Sequence, residues 1–346
     1  MITYAASDEG AFALNNATPG AVKQAAIKGY QLLLRSVLSY ESIYRSAGNE
    51  QAFEQSTKYI VKNMMDSIYK KLEVELLYGQ AGIATVGSVT STTNVTLLAS
   101  DFAPGIWAGS RNMPIDVYTS AGVLRGSSSV LRCDLSTKIL QLNTAVAAIA
   151  ATDVIYPSGA FGKQMKGMYQ IMSNTGVMFG IDAANYEMWE GTQYTLASPG
   201  VLSFSVIQQA IVKGVEKGLD KDCVVLCNPG HWDNLLTEQA ALRMFDSSFK
   251  SDVTEVGSKA ISFFSQNGQV KIIPSIYVKE GHAFIICPED WARVGSTDVT
   301  FNRPGQPNNF FRELEGYAGV EMRCYVDNAA FCLAPGRQVL IKNLTV

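Results

Sequence analysis

The chain has 346 residues, enough for two or three domains, and 47% of them are hydrophobic while only 17% are charged. Typical soluble domains carry about 25% charged residues, so this composition suggests that much of the surface is covered by other subunits. The formal net charge of -3 argues against a dedicated nucleic-acid-binding protein, and no apolar run is long enough for a membrane span.

The first part of the chain is predicted to contain an arm, a helix and a loop. Residues 1–20 are small and polar, lack a signal-peptide pattern, and are expected to form an arm whose order depends on a neighbour. Apolar residues at helical spacing predict a helix within 21–44. Residues 39–49 are predicted to be an extended loop.

A long helix is predicted for residues 49–78, which contain neither proline nor glycine. An apolar residue recurs there at every fourth position, and most of the charged residues lie off this stripe. The stripe is formed by Ile60, Met64, Ile68, Leu72 and Leu76. Asn49 can cap the start and Gly79 can end the helix. We therefore expect a helix of about 43 Å that lies across a sheet or a neighbouring domain.

After Gly79 the pattern changes from helical to alternating. Short strands are predicted near 95–97, 115–117, 130–131, 139–142 and 154–156, separated by Gly, Asn and Ser turns. Several short strands in about 75 residues predict a small antiparallel barrel or sandwich, inserted as its own subdomain.

The remaining sequence alternates between helix and strand signals. Residues 159–200 are predicted to be irregular, 203–219 helical, and 223–227 a buried strand, with a short helix from Pro229 through Leu236. Asn267-Gly268 predicts a hairpin between 261–264 and 270–273. Further strands are predicted at 282–287, 321–326 and 337–341.

One group of residues in the sequence could form a metal-binding or catalytic site. Cys223, Cys227 and His231 are spaced by four residues and could hold a metal or supply a nucleophile. The alternative interpretation is stronger, because both thiols lie in buried-strand sequence and His231 falls in the first turn of the next helix. His282 is expected at an exposed strand edge. The six cysteines have no disulfide framework spacing and are expected to be reduced, as in a cytosolic protein.

No phosphate-binding loop, dinucleotide fingerprint, nucleophile elbow or zinc-protease motif occurs in the sequence. We therefore predict no catalytic, cofactor-binding or metal-binding residue, and no enzyme.

The order of these parts resembles the major capsid proteins of tailed bacteriophages, which have the Hong Kong 97-type fold. The segment TKYIVKNMMDSIYKKLEVELLYG is similar to the family's long spine helix. Residues 270–303 resemble its strand, hairpin and strand, and YAGVEMRCYVDNAAFCLAPGRQVLIKN resembles its closing strands. The similarity covers nearly the whole chain.

The resemblance implies an α+β fold with a spine helix, peripheral and axial domains, and an inserted β-rich subdomain. It implies an arm at 1–20, a peripheral part at 21–81 with the N-terminal helix, extended loop and spine helix, a β-rich insertion at 82–158, and the remaining peripheral and axial parts at 159–346. The chain carries no charged scaffolding segment ahead of the arm, so a separate scaffold or trimming is expected. No motif assigns a lysine–asparagine crosslink.

The function that the resemblance implies is assembly of pentamers and hexamers into the icosahedral head around phage double-stranded DNA. Expected partners are further copies of the chain, portal, scaffolding and cement or decoration proteins, and packaged DNA in non-specific contact with the inner surface; no membrane is involved. The protein is expected in the virion after assembly in the host bacterial cytoplasm. The alternatives are another virion or encapsulin-like shell protein and, less favoured, a cytosolic enzyme that uses Cys223, Cys227 and His231.

Overall fold

A computed structural model describes residues 23–39, 41, 50–245, 261–266, 268–302, 310–316 and 318–346. The arm at 1–20, most of the loop at 39–49 and the cap Asn49 lie outside the described residues. The helices of the described part are α1 (Glu50–Tyr78), α2 (Pro104–Trp107), α3 (Met168–Met172), α4 (Phe204–Glu216) and α5 (Pro229–Phe245). None of these helices is long and apolar enough to cross a membrane.

Helix α1 lies across a four-stranded antiparallel sheet. Its strands are β1 (Tyr30–Ser39), β15 (Trp291–Thr300), β16 (Phe311–Glu313) and β17 (Gly319–Cys332), and β17 pairs with each of the others. Ile68, Met64 and Leu72 of α1 are 1%, 4% and 6% exposed. They share a cluster with three residues of the β17 face, Met322, Cys324 and Val326. The predicted helix and its buried stripe are therefore confirmed.

Strand β1 corrects the helix predicted within 21–44. Residues 30–39 are extended and pair with β17 along their whole length, from Tyr30 opposite Asn328 to Ser39 opposite Gly319. Leu32 and Leu34 pack toward the cluster under α1, while Leu33 and Val37 are exposed on the other face. Apolar residues on both faces give the strand a pattern that also fits a helical period, and this made the prediction wrong.

A closed barrel forms between residues 84 and 157, one of the two architectures that the alternating pattern predicts. Its strands follow the order β2-β3-β6-β5-β4-β7 around the barrel. They are β2 (Ala84–Ser91), β3 (Asn94–Leu97), β4 (Pro114–Tyr118), β5 (Leu124–Asp134), β6 (Ile139–Leu142) and β7 (Val154–Pro157). Val95, Ile115, Val117, Val130 and Leu140 fill the interior at 0% exposure.

The third layer is a six-stranded mixed sheet with the order β10-β18-β14-β11-β13-β12. The strands are β10 (Thr192–Gly200), β11 (Cys223–Cys227), β12 (Ile261–Ser265), β13 (Gly268–Pro274), β14 (His282–Ile286) and β18 (Val339–Leu344). Helix α4 is capped by Ser203, whose Oγ accepts the N–H of Val206 at 3.2 Å. It buries Ile207 and Ile211 in the core of this sheet.

The irregular structure predicted for 159–200 is found up to β10, apart from α3 and the small pair β8 (Val177–Met178) and β9 (Ile181–Asp182). The prediction is wrong for Thr192–Gly200, which forms β10 because it pairs with β18, a strand distant in sequence. The β12–β13 hairpin matches the prediction, with Ser265 opposite Gly268. Helix α5 extends to Phe245, past the predicted end at Leu236. The sequence after Leu236 has no proline or glycine before Phe245, so it holds no stop signal.

Candidate functional site

The three residues of the candidate cluster are buried, and the two thiols are held apart. Cys223 and Cys227 are 3% and 0% exposed and lie on the same face of β11, packed in one apolar cluster. Four residues along a strand span about 13 Å, too far for two thiolates to share one metal ion. Among the described residues, no group of three or more His, Cys, Asp or Glu could hold a metal ion.

The protonation states of this cluster do not favour nucleophilic chemistry. Burial raises the pKa of the Cys223 and Cys227 thiols to about 12, so both are protonated at neutral pH. His231 is fully buried in the first turn of α5, and burial lowers the pKa of its imidazole. Its Nε2 lies 2.6 Å from the carbonyl oxygen of Glu280, a contact that requires Nε2 to carry the proton. His231 therefore holds a turn in place.

That turn, residues 279–281, joins the barrel to the six-stranded sheet, and we call it the anchor turn. The N–H groups of Glu280 and Gly281 donate to the carbonyls of Phe102 and Ser100 at 2.9 and 2.8 Å. The Glu280 carboxylate also forms an ion pair with Lys138 of the barrel. Gly281 must be glycine, because a Cβ there would lie 2.4 Å from the Ser100 carbonyl oxygen.

Lys279 is the centre of the anchor turn, and it is only 2% exposed. Its Nζ donates to Asp101 Oδ1 at 2.6 Å and to the carbonyl of Gly82 at 3.1 Å. The ammonium lies 4.4 Å from the ring centroid of Tyr78, the last residue of α1. The Lys279 N–H donates to the Tyr78 hydroxyl at 2.8 Å. One buried cation thus connects the long helix, the barrel and the six-stranded sheet.

His282 follows the anchor turn and corrects the sequence prediction of an exposed edge position. Strand β14 is an interior strand between β11 and β18, and the His282 ring lies 4.8 Å from the ring of Tyr169. Burial, reinforced by the positive charge of Lys279, lowers the pKa of His282 to about 3. The imidazole is therefore neutral at neutral pH and acts as part of an aromatic core.

A second contact fastens the end of α1 to the segment before α3. Gln164 Nε2 donates to Glu75 Oε1 at 3.0 Å, and Lys71 Nζ lies 3.5 Å from the same oxygen. Burial lowers the pKa of Lys71, and the neighbouring Glu75 carboxylate opposes that shift. A Cβ at Gly79 would lie 2.2 Å from the carbonyl oxygen of Met165, so the helix must end in glycine here.

The anchor turn was missed by sequence reasoning. Lys279 lies 178 residues from Asp101 and 201 from Tyr78, so no local spacing joins them. The available signal is a lysine between apolar residues in SIYVKEGHAF. The contacts at Lys279 and at Glu75 join elements that are distant in sequence. The fold is α+β, with a long helix laid across an antiparallel sheet.

Comparisons with known proteins extend this assignment. No protein-family model and no curated protein matches the chain. The structure is similar to a chain of the cyanophage A-1(L) capsid asymmetric unit, with a TM-score of 0.54 and 10% identity over 100% of this chain and 86% of the other. The cyanophage P-SCSP1u capsid gives a TM-score of 0.46 at 8% identity over 99% and 81% of the two chains. The satellite phage P4 procapsid gives 0.39 at 11% identity over 100% and 80%.

The chain has the fold of a phage capsid protein, and the similarity to the cyanophage A-1(L) capsid carries this conclusion. The Hong Kong 97-type α+β fold predicted from the sequence is thereby confirmed.

Proposed function

We propose that this chain is the major capsid protein of a tailed bacteriophage. In this proposal it assembles as pentamers and hexamers into the icosahedral head that encloses double-stranded DNA. The observation that carries the proposal is the similarity of fold to a cyanophage capsid over the full length of the chain. The location would be the virion, after assembly in the host cytoplasm.

The surface of the subunit supports a role in assembly. Large apolar side chains are exposed on several elements, among them Tyr59 at 73% and Tyr69 at 54% on the outer side of α1 and Phe264 at 83% on β12. Exposed aromatic groups of this size are typical of surfaces that other proteins cover. The low content of charged residues fits the same use, because the centres of protein interfaces are depleted in charge.

The layers support a division of labour within the subunit. We assign α1 and the four-stranded sheet to the peripheral domain, the six-stranded sheet with α4 and α5 to the axial domain, and the barrel at 82–158 to an insertion. The boundaries remain those expected from the sequence: 1–20, 21–81, 82–158 and 159–346. The anchor turn then fixes the insertion relative to both domains, since it contacts α1, the barrel and β14.

The proposed partners follow from assembly. Further copies of the chain supply most of the contacts, while portal, scaffolding and decoration proteins complete the head. Contact with DNA would be non-specific, because the chain has a net charge of -3 and no basic stripe stands out in its sequence. The alternatives remain an encapsulin-like shell and an enzyme; the enzyme is disfavoured because the thiols of Cys223 and Cys227 have pKa values of about 12.

The size of the particles that the purified chain forms distinguishes a shell protein from an enzyme. We expect sedimentation velocity and negative-stain microscopy of the purified chain to reveal pentamers, hexamers or closed shells. A small oligomer that stays small when scaffolding protein is supplied would contradict the proposal. Particles isolated from lysed host cells should contain nuclease-protected double-stranded DNA. A protein cargo in place of DNA would support the encapsulin-like alternative.

A further inference from the structure

Two cysteines of the six-stranded sheet lie opposite each other. Strands β11 and β14 are antiparallel neighbours, and Val224 pairs with Ile286 in their register. One step further along the two strands, the same register places Cys223 opposite Cys287. Cys223 is the first residue of β11, and Cys287 directly follows the last residue of β14. Both are free thiols in the structure.

The two cysteine side chains lie on the same face of the sheet. Side chains alternate between the two faces along a strand, and residues 223, 225 and 227 share one apolar cluster with residues 283, 285 and 287. The residues between them lie in a different cluster on the opposite face; they are Val224, Leu226, Phe284 and Ile286. Cys223 and Cys287, which are 3% and 1% exposed, are therefore direct neighbours across the two strands.

The hydrogen bonding of Cys287 sets the spacing of the pair. Opposed residues of antiparallel strands alternate between hydrogen-bonded pairs, with Cα atoms about 5.5 Å apart, and non-hydrogen-bonded pairs at about 4.5 Å. The N–H of Cys287 donates to Oε1 of Gln338 at 2.7 Å, so it is directed away from the carbonyl of Cys223. The pair is therefore of the closer kind. Its spacing lies within the Cα separation of about 4.4–6.8 Å that a disulfide spans.

A surface ion pair holds together the two segments that carry these thiols. Lys221 Nζ lies 3.0 Å from Glu289 Oε2 and 3.5 Å from Asp290 Oδ1. We call these contacts the clasp; it ties the segment before β11 to the turn after β14. The Glu289 side chain is 72% exposed, and ion pairs at such positions contribute little free energy. The two strand ends are thus held beside the cysteines by a contact that opens at low cost.

We propose that Cys223 and Cys287 are a redox pair, which a small-molecule disulfide of the glutathione class converts into a disulfide bond between β11 and β14. The chemistry depends on this chain alone and not on the proposed function. Thiols stay reduced in the cytosol, whereas disulfides form and persist in oxidising surroundings. A phage head would therefore carry the free thiols during assembly in the host and acquire the bond after release.

The reaction proceeds by two thiol–disulfide exchange steps. The Cys287 thiolate attacks one sulfur of the small disulfide, whose S–S bond breaks, so that one small thiolate leaves and a mixed disulfide remains on Cys287. The deprotonated Cys223 Sγ then attacks the Cys287 Sγ and expels the second small thiolate. The two leaving thiolates take up, through solvent, the two protons that the protein thiols release. The protein loses two electrons, and the small disulfide is reduced to two thiols.

The surroundings of the two thiols set the order of these steps. Burial raises the pKa of Cys223 to about 12. Burial and the nearby Asp290 carboxylate also raise the pKa of Cys287, but the N–H groups of Glu289 and Asp290 and the Lys221 ammonium oppose that shift. A thiolate therefore forms more readily at Cys287, which makes it the first to attack. Because both thiols are buried, we expect the exchange to take hours, the slow end of the usual range.

Thiol counting and peptide mapping in the full-length protein test the pair. The purified protein is incubated with oxidised glutathione at mildly alkaline pH, denatured in acid, and treated with N-ethylmaleimide to block the remaining thiols. We expect the number of free thiols to fall by two, from six to four, because the chain has six cysteines. Mass spectrometry without reduction should find the peptides of Cys223 and Cys287 linked. Dithiothreitol should restore all six thiols.

The other cysteines supply the controls. Cys227 lies on the same strand and face as Cys223, but the register places it opposite Ala283. Cys227→Ala, and Cys332→Ala at another buried thiol, should leave the linked pair unchanged. Cys223→Ala and Cys287→Ala should each abolish it. Glutathione bound to Cys287 in Cys223→Ala should exceed that bound to Cys223 in Cys287→Ala at least about fivefold, since the first thiolate to attack is that of Cys287.

The melting temperature gives a second readout of the bond. Oxidised wild type should melt at least about 3 °C above reduced wild type, because the bond restricts the unfolded chain. Oxidation should give no such increase in Cys223→Ala or Cys287→Ala. Each protein is compared with its own reduced form, so any stability lost through the substitution itself does not enter the comparison.

Loosening the clasp tests the route to the thiols. Glu289→Gln weakens the contact with Lys221 and keeps the backbone N–H beside Cys287, so it should speed formation of the bond about two- to fivefold. Glu216→Gln is the matched control, because Glu216 forms an exposed ion pair with Lys213 on α4 at 3.0 Å. Equal rates in Glu289→Gln and wild type would contradict the role of the clasp.

The outcome in wild type decides the matter without any variant. Six free thiols after prolonged oxidation, or a linked pair other than Cys223 with Cys287, would overturn the proposed pair. Closed shells with six free thiols would refute the redox pair alone. A linked pair in a protein that forms only small oligomers would support the redox pair and refute the proposed function.

Discussion

The barrel and the four-stranded sheet bury their apolar residues in different ways. The barrel closes on itself, so its strands have no free edge and its interior side chains are covered by one another. The four-stranded sheet is covered on one face by α1, while its other face exposes Leu33 and Val37. The barrel therefore covers its apolar interior within one subunit, whereas the four-stranded sheet leaves apolar side chains exposed on one face.

The largest expected effect comes from breaking the covered face of the four-stranded sheet. Ile68→Asp would place a carboxylate in the cluster between α1 and β17, where Ile68 is 1% exposed. The loss of packing and the desolvation of the new carboxylate together should cost more than about 4 kcal/mol. We expect insoluble or unassembled protein, measured as the yield of shells counted by electron microscopy.

Asp66→Ala is the matched control for Ile68→Asp. Asp66 is exposed, two positions away and about 160° around the helix axis. It should give normal shells. Equal shell yields from the two variants would mean that the buried face of α1 has been misassigned.

A cavity in the barrel should lower the stability of the subunit less than Ile68→Asp does, and it should not prevent assembly. Leu140→Ala removes a side chain that is 0% exposed, which should lower the free energy of unfolding by about 2–4 kcal/mol. Because the barrel is closed, the loss should remain local and shells should still form below the lowered melting temperature. Urea unfolding measures the loss, and electron microscopy checks the shells.

Leu135→Ala, at a nearby turn position that is 44% exposed, should change stability by less than about 0.5 kcal/mol. Loss of shells in Leu140→Ala at a temperature where the subunit remains folded would contradict the view that the barrel is complete within one subunit.

The sequence predicted an element correctly where its apolar pattern fitted only one kind of secondary structure. The long helix was predicted because its apolar period of four residues runs without glycine or proline. Five of the six barrel strands were predicted because turns separate them, whereas β2 (Ala84–Ser91) was not predicted. Strand β1 was mistaken for a helix because Leu33 and Val37 add apolar residues to its outer face. The joint at Lys279 could not be predicted, because it unites parts of the chain that are distant in sequence.

The burial of His282, which directly follows the anchor turn, can be tested through the pH dependence of stability. The pKa of His282 falls from about 6.5 in the unfolded chain to about 3 in the folded protein. Between these values the unfolded state binds more protons, so the contribution of the neutral imidazole is complete above pH 6.5 and is lost as the pH falls toward 3. At pH 5 the loss should be about 2 kcal/mol. Urea unfolding at pH 7.5 and pH 5 measures it.

His282→Phe should remove this part of the pH dependence while keeping a ring against Tyr169. Some decline will remain in the variant, because the pKa of His231 is also lowered by burial. The same loss of stability in wild type and His282→Phe between the two pH values would show that the His282 imidazole is protonated without cost.

The smallest expected effect on stability, and a large one on assembly, concerns residues 1–20. Their deletion should leave the melting temperature of the subunit unchanged, because these residues carry little apolar material for a core of their own. Shell closure should nevertheless be impaired, because an arm that orders only on docking would contribute contact area between subunits. Calorimetry measures the first expectation, and the fraction of closed shells in micrographs measures the second.

A shuffled arm makes this test specific. A variant that keeps the length and composition of residues 1–20 but changes their order retains its net charge and any non-specific stickiness. If closure depends on the order of these residues, the shuffled variant should close shells as poorly as the deletion. Normal closure by the shuffled variant would show that composition alone suffices. Loss of the cooperative melting transition in the deletion would instead show that these residues belong to the core of the subunit.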